Sequence, residues 1–169
     1  GLPLEAPVTR YLASASFQLF PQEEGVYRDA DRSLGWVKFG SATDIYSHIT
    51  IVEGDFPAVA DSLHGSAVEV LMSESMALEL GMQVGEEYLT FAEVETDAGG
   101  EQTVQIPVRI AGLWRATDEA DDYWFYRPNA MGDVLLVPEE TLLGRVGLEC
   151  ENSISLALWY LLMDGSDVY

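Results

Sequence analysis

The segment Ile51–Phe91, IVEGDFPAVADSLHGSAVEVLMSESMALELGMQVGEEYLTF, constrains the fold more than any other part of the chain. The acidic–glycine pair Glu53-Gly54 reads as a turn. After a spacer, Val68–Met72 reads as a strand, Ser73–Leu80 as a short helix, and Gly81 as its stop. Val84-Gly85 then turns the chain into a second strand, Tyr88–Val94. The local chemistry agrees at each step. Ser73 can accept a hydrogen bond from a first-turn N–H, and Glu74 places negative charge at the positive helix end. Met76, Ala77 and Leu80 make one apolar face, and Gly81 can adopt the left-handed conformation that ends a helix. The spacing predicts a strand–helix–strand unit in which no residue has an evident catalytic task.

Around this unit the sequence predicts further strands. Tyr11–Phe20 alternates partly between Pro7 and Pro21, Gly35–Phe39 reads as a short strand, and Tyr46–Val52 looks extended after a helical turn within Ser41–Ser47. Asp97-Ala98-Gly99-Gly100-Glu101 reads as a hairpin tip. Thr103–Leu113 returns as a strand, with Pro107 expected at an edge or bulge because it lacks an N–H. Trp114–Asp133 has no period. Val134–Val137 is a short buried strand, Pro138-Glu139-Glu140-Thr141 opens a helix that Gly147 closes, and Ser153–Met163 is an apolar strand expected to be buried on both faces at its centre. Short strands with a few short helices place the chain in the α+β class, with mixed β-sheets.

Composition narrows the function classes. The 169 residues suffice for one domain or two small lobes, and 48% apolar residues make it a folding sequence. The net charge is −21, from 29 acidic against 8 basic residues, with Lys38 the only lysine. Such a surface repels phosphate backbones and anionic lipid heads, so no nucleic-acid partner is expected. It reads first as a surface kept soluble by self-repulsion and second as one that attracts cations or a basic partner. Cys150 stands alone, which excludes an intrachain disulfide and fits a buried inert thiol. No signal-peptide pattern appears, and the longest apolar run, Ile154–Met163, is far below the ~20 residues of a membrane helix. The start at Gly1 and the abrupt end at Tyr169 suggest a piece excised from a longer protein.

Catalytic constellations are not evident. His48 and His64 are isolated, and His64 sits beside Gly65 in a predicted loop. Ser73 and Ser75 stand between strand and helix as a nucleophile would, but the elbow glycines are missing and capping explains Ser73. No phosphate-binding glycine loop is present, and no cofactor is expected. The densest acidic group, Asp118, Glu119, Asp121 and Asp122, lacks the spacing and the glycine of a calcium loop and reads as solvated. Tyr123, Trp124, Phe125 and Tyr126 follow it directly, and Trp114 lies close. Consecutive aromatics cannot all point inward from a strand. Trp114, Asp118, Glu119, Asp121, Asp122, Tyr123, Trp124, Phe125 and Tyr126 are therefore candidates for partner contact, while a cluster that covers the core of its own loop is the equal alternative.

In their order, Glu53-Gly54, Val70–Ala77, Leu80-Gly81, Val84-Gly85, Ile106–Gly112 and Val134–Pro138 resemble the extracytoplasmic domains of ABC-transporter permeases of the MacB/FtsX/LolE type. The likeness is best over Ile49–Leu113 and extends to Val134–Thr141. It implies a periplasmic core domain of two lobes: a porter-like lobe from residues about 1–50 and 134–169, and a mostly β lobe from about 51–133. It implies a membrane-embedded parent protein with this domain on the extracytoplasmic side. The ATPase would sit in a separate cytoplasmic domain or subunit, so this piece would not itself be an enzyme. It would act by mechanotransmission, through contacts with an adaptor protein or exported cargo. The competing readings are a calcium- or carbohydrate-binding surface module using the acidic–aromatic loop, and a hydrolase using Ser73 or Ser75.

Overall fold

The computed structural model describes residues 8–22, 32–60, 66–96, 98–124, 128–150 and 154–161. Eight strands are found there: β1 (Val8–Pro21), β2 (Gly35–Ala42), β3 (Ile49–Gly54), β4 (Val68–Ser73), β5 (Glu87–Glu95), β6 (Glu101–Ala116), β7 (Val134–Leu136) and β8 (Ile154–Leu161). The neighbours run β2-β7-β4-β6-β5-β1, and β1 pairs back onto β2, which closes a six-stranded barrel. The pairing is mixed: β2 with β7 and β4 with β6 are parallel, the others antiparallel. With its short helices the architecture is α+β.

Two long strands make closure possible. The first half of β1 takes β8 as a neighbour and its last four residues take β5, while β2 lies along its other edge. In the same way β6 passes from β5 to β3 on one edge and holds β4 on the other. Register shifts at Ala13/Ser16 of β1 and Val70/Leu71 of β4 bend the ladders, as bulges do. At the first of these, the Ser14 hydroxyl accepts the Phe39 N–H at 3.0 Å, so a buried donor is satisfied where the ladder is interrupted.

Inside the barrel, alternate residues along parts of β1, β2, β4 and β6 are apolar and buried. Phe17 and Leu19, Val37 and Phe39, Val70 and Met72, Ile106 and Val108 belong to one cluster, with Phe17 and Phe39 packed edge to face at 5.3 Å. The alternate residues Leu71, Val134 and Leu136 belong to a second cluster on the other face. This is why Val70–Met72 of β4 and Val134–Leu136 of β7 are short continuous apolar runs: both faces are covered there.

The strand–helix–strand unit is found as predicted. Helix α1 (Glu74–Leu80) is capped by Ser73, whose hydroxyl accepts the Met76 N–H at 3.3 Å, and it ends at Gly81 with φ 69°. Gly54 has φ +80°, and a Cβ there would sit 2.8 Å from the Cα of Gly112. A Cβ on Gly112 would in turn lie 2.6 Å from the Asp55 carbonyl. The acidic–glycine pair is thus a place where two backbones touch, and neither position admits a side chain.

Several expectations are corrected. The two-lobe division fails among the described residues, because β1 pairs with β5 and β7 with β4 across the boundary, so strands of both spans build one barrel. Gly147 does not close the last helix. Helix α2 (Glu139–Thr141), a π-helical stretch Leu142–Val146 and helix α3 (Gly147–Glu149) run on to Cys150. Gly147 takes an ordinary right-handed φ of −61°. Strand β8 pairs with β1 alone among the described strands, and Ala157 at its centre is exposed, against the expected two-sided burial. Pro107 faces Leu89 of β5, while the pairing with β4 starts only at Val108, so it sits at a local edge as expected. Cys150 is a buried thiol whose pKa is pushed up to about 11 by burial and then by Glu149, which makes it unreactive.

Candidate functional site

The acidic–aromatic segment after β6 packs back onto the outer wall of the barrel. Trp114 is 2% exposed at the end of β6, and its ring stacks on that of Trp124, with centroids 6.0 Å apart and planes at 12°. Tyr123 meets Trp124 edge on at 5.1 Å. All three join Ile45, Ile49, Leu71, Val134 and Leu136 in the second apolar cluster. The structure therefore places Trp114, Tyr123 and Trp124 inward, as the cover of a core. Phe125 and Tyr126 lie outside the described residues, as does His64. Asp118, Glu119 and Asp122 are exposed and Asp121 is half-buried.

The carboxylates of this loop divide by task. Asp118 accepts the Ala120 N–H at 2.9 Å and so builds the first turn. Asp121 accepts the Tyr123 N–H at 3.0 Å through one oxygen, and its other oxygen lies 2.7 Å from His48 Nδ1. Those two bonds hold the Asp121 carboxyl below the usual carboxylate range, the backbone bond contributing most. Among the described residues, no three His, Cys, Asp or Glu side chains come together as a metal ion would require.

His48 is the residue that the sequence left isolated. It stacks on Tyr123 with centroids 3.8 Å apart, and its Nε2 lies 3.5 Å from Asp44. The Tyr123 hydroxyl donates to the Thr43 carbonyl at 2.8 Å, and the Thr117 N–H donates to the His48 carbonyl at 3.0 Å. The turn Thr43–His48 and the loop 117–124 are thus stapled together by one ring stack and a set of polar bonds. The partners are 73 residues apart, and neither carries a local signal of the other.

Ser73 is occupied twice over. Besides capping α1, its hydroxyl donates to the Gly132 carbonyl at 2.9 Å, which ties the helix start to the turn before β7. Ser75 is exposed and lies 3.4 Å from the Ser73 oxygen. The described contacts of His48 are with Asp44, Ile45, Asp121, Tyr123 and Thr117, not with either serine.

Around this turn the surface is hollowed. One hollow of about 180 Å³ is lined by Trp114, Arg115, Glu119 and the start of α1. Another, of about 520 Å³, opens between α1 and the start of β2. The two share Ser75, Asn129 and Gly132. Sequence reasoning missed both, because their walls come from four separate stretches of chain.

No protein-family model matches the chain, and no curated protein matches it either.

Proposed function

We propose that this chain is the extracytoplasmic domain of an ABC-transporter permease of the MacB/FtsX/LolE type, and that it acts by contact rather than by chemistry. The observation that carries the reading is the ordered set Glu53-Gly54, Val70–Ala77, Leu80-Gly81, Val84-Gly85, Ile106–Gly112 and Val134–Pro138, each member of which has a structural task here. Gly54 and Gly112 meet backbone to backbone, Ser73 and Gly81 start and stop α1, and Gly85 donates its N–H to Ile110 at 2.8 Å. Val134–Leu136 supplies the strand that links β2 to β4.

On this reading the ATPase belongs to a cytoplasmic domain or subunit of the parent transporter, and the parent is a membrane protein. No described helix of this chain is long and apolar enough to cross a membrane. A single stiff barrel would pass on movement of the membrane segments as a rigid body, and its outer surface would meet an adaptor protein or cargo. The test is the gene sequence on both sides of Gly1 and Tyr169. A segment of ~20 apolar residues before the domain and three more after it are expected. A cleavable signal peptide before it and a stop codon soon after Tyr169 would overturn the reading.

A further inference from the structure

The larger hollow is lined by apolar side chains from two elements together with Ser75, Asn129 and two acids. Leu34 and Trp36 line one side, and Met76 and Leu80 of α1 the other. Trp36 is 59% exposed, although its strand neighbours Val37 and Phe39 are fully buried. Alternation along β2 forces this: with Val37 and Phe39 inside the barrel, Trp36 must face outward. A solvated tryptophan beside half-buried Leu34, Met76 and Leu80 makes an aromatic–aliphatic surface that the described residues leave uncovered.

Among the described residues that line this hollow, the charged ones have one sign. Glu79 and Asp133 are exposed on its rim. Among the described residues, the adjoining hollow adds Glu74 and Glu119 against one cation, Arg115. Lys38, the next outward residue of β2, is not part of either lining. In a chain of net charge −21, these acids repel an anionic ligand over Trp36 and favour a cationic one.

We propose that this hollow is the docking site for an extended basic segment of a partner protein. An aliphatic or aromatic side chain of that segment packs on Trp36 and Met76, while flanking lysines or arginines lie over Glu79 and Asp133. The segment runs on past Ser75 and Asn129 toward Glu74 and Glu119, because the two hollows share those residues. The inference rests on the reading of this domain as a contact module, and it names the chemistry of the contact. Binding here would place the partner across the junction of α1, β2 and the turn before β7, which the Ser73–Gly132 hydrogen bond ties to α1.

The test is fluorescence anisotropy with a labelled peptide of about twelve residues alternating lysine and leucine, long enough to lie along both hollows in extended form. Two counterparts carry glutamate for lysine, or serine for leucine. The lysine–leucine peptide is expected to bind, with affinity falling as salt rises, and both counterparts at least about ten-fold more weakly. Trp36→Ala, and separately Glu79→Lys with Asp133→Lys, should each weaken binding about ten-fold with the melting temperature kept, since all three residues are exposed. Glu93→Lys, an exposed acid on β5, should leave binding within about two-fold. Absence of binding overturns the proposal, as does Trp36→Ala without effect. Equal loss from Glu93→Lys and the Glu79/Asp133 pair would show diffuse attraction to an acidic chain and also overturn it. The gene-flank test stands apart: a permease with no binding here docks its partner elsewhere, and binding without membrane segments keeps the site but removes the permease.

Discussion

The inside of the barrel and the cluster on its outer wall are both buried, but they are held by different means. Inside, Phe17, Phe39, Val70, Ile106 and Leu135 are all fully buried, and the closed ladder that carries them needs nothing further from their side chains. Outside, Trp114, Tyr123 and Trp124 are covered by a loop with no ladder of its own, fastened through His48, Asp121 and the Tyr123–Thr43 hydrogen bond. The first core is a property of the sheet, and the second is a property of a few polar contacts. Mutations should separate the two.

The largest effect is expected inside. Phe39→Ala removes a fully buried ring that packs edge to face on Phe17, in a space the closed ladder cannot shrink to fill. It should cost about 3–5 kcal/mol and lower the urea midpoint of the whole domain. A loss below about 1 kcal/mol would mean that the barrel interior is not the main core. Trp124→Ala comes next, at about 3 kcal/mol, the lower part of the range for a buried tryptophan, because a loop can settle into the gap. Its signature is local: amide hydrogen exchange should rise in residues 117–124 and at Thr43–His48 well before it rises in β1 or β6. Uniform acceleration would make the loop part of one cooperative core. An unchanged melting temperature would return Trp124 to the role of a surface contact.

The close approach of Gly54 to Gly112 offers a third comparison, where β3 meets the barrel strand β6. Gly54→Ala meets both a positive φ and backbone atoms of the facing strand, so a loss of at least about 1–2 kcal/mol is expected from the conformation alone. Gly99→Ala at the hairpin tip shares the positive φ but has open space around it, and it should cost less. Equal losses for the two in thermal denaturation would show that the contact with Gly112 carries no energy.

What the sequence makes legible follows the same division. Period-two alternation in Phe17–Leu19, Val37–Phe39 and Val104–Ile110 marks the inner face, and capping chemistry marks α1 to within a residue, because these signals are local. Closure is not local. That β1 would bridge β2 and β5, or that β7 would sit parallel to β2, depends on pairings between distant segments, and two lobes and one barrel use the same strands. The aromatic run at 123–126 was ambiguous for a related reason. Tyr123 and Trp124 turn inward only because His48 and Trp114 arrive to receive them. The hollow beside Trp36 was invisible, since a tryptophan in an alternating strand looks the same whether its outward face is covered or bare.

The smallest expected effect is the most specific to the outer cluster. The Asp121 carboxyl is held below its ordinary range first by the Tyr123 N–H and then by His48, so the folded state favours its ionised form. A carboxylate of that kind adds stability above its unfolded pKa of about 4, and the gain is lost as pH falls from there through the lower folded value. Asp121→Asn keeps an oxygen for the Tyr123 N–H but carries no charge. The variant should therefore melt slightly below the parent near neutral pH, and the gap should close as pH drops below about 4. Asp118→Asn, whose carboxylate builds a turn through Ala120, should show no such convergence if the effect belongs to the staple on His48. A gap for Asp121→Asn that persists at the lowest pH would mean that the asparagine disturbs packing around Tyr123. The charge would then play no part in holding the loop, and the outer cluster would be held by ring contacts alone.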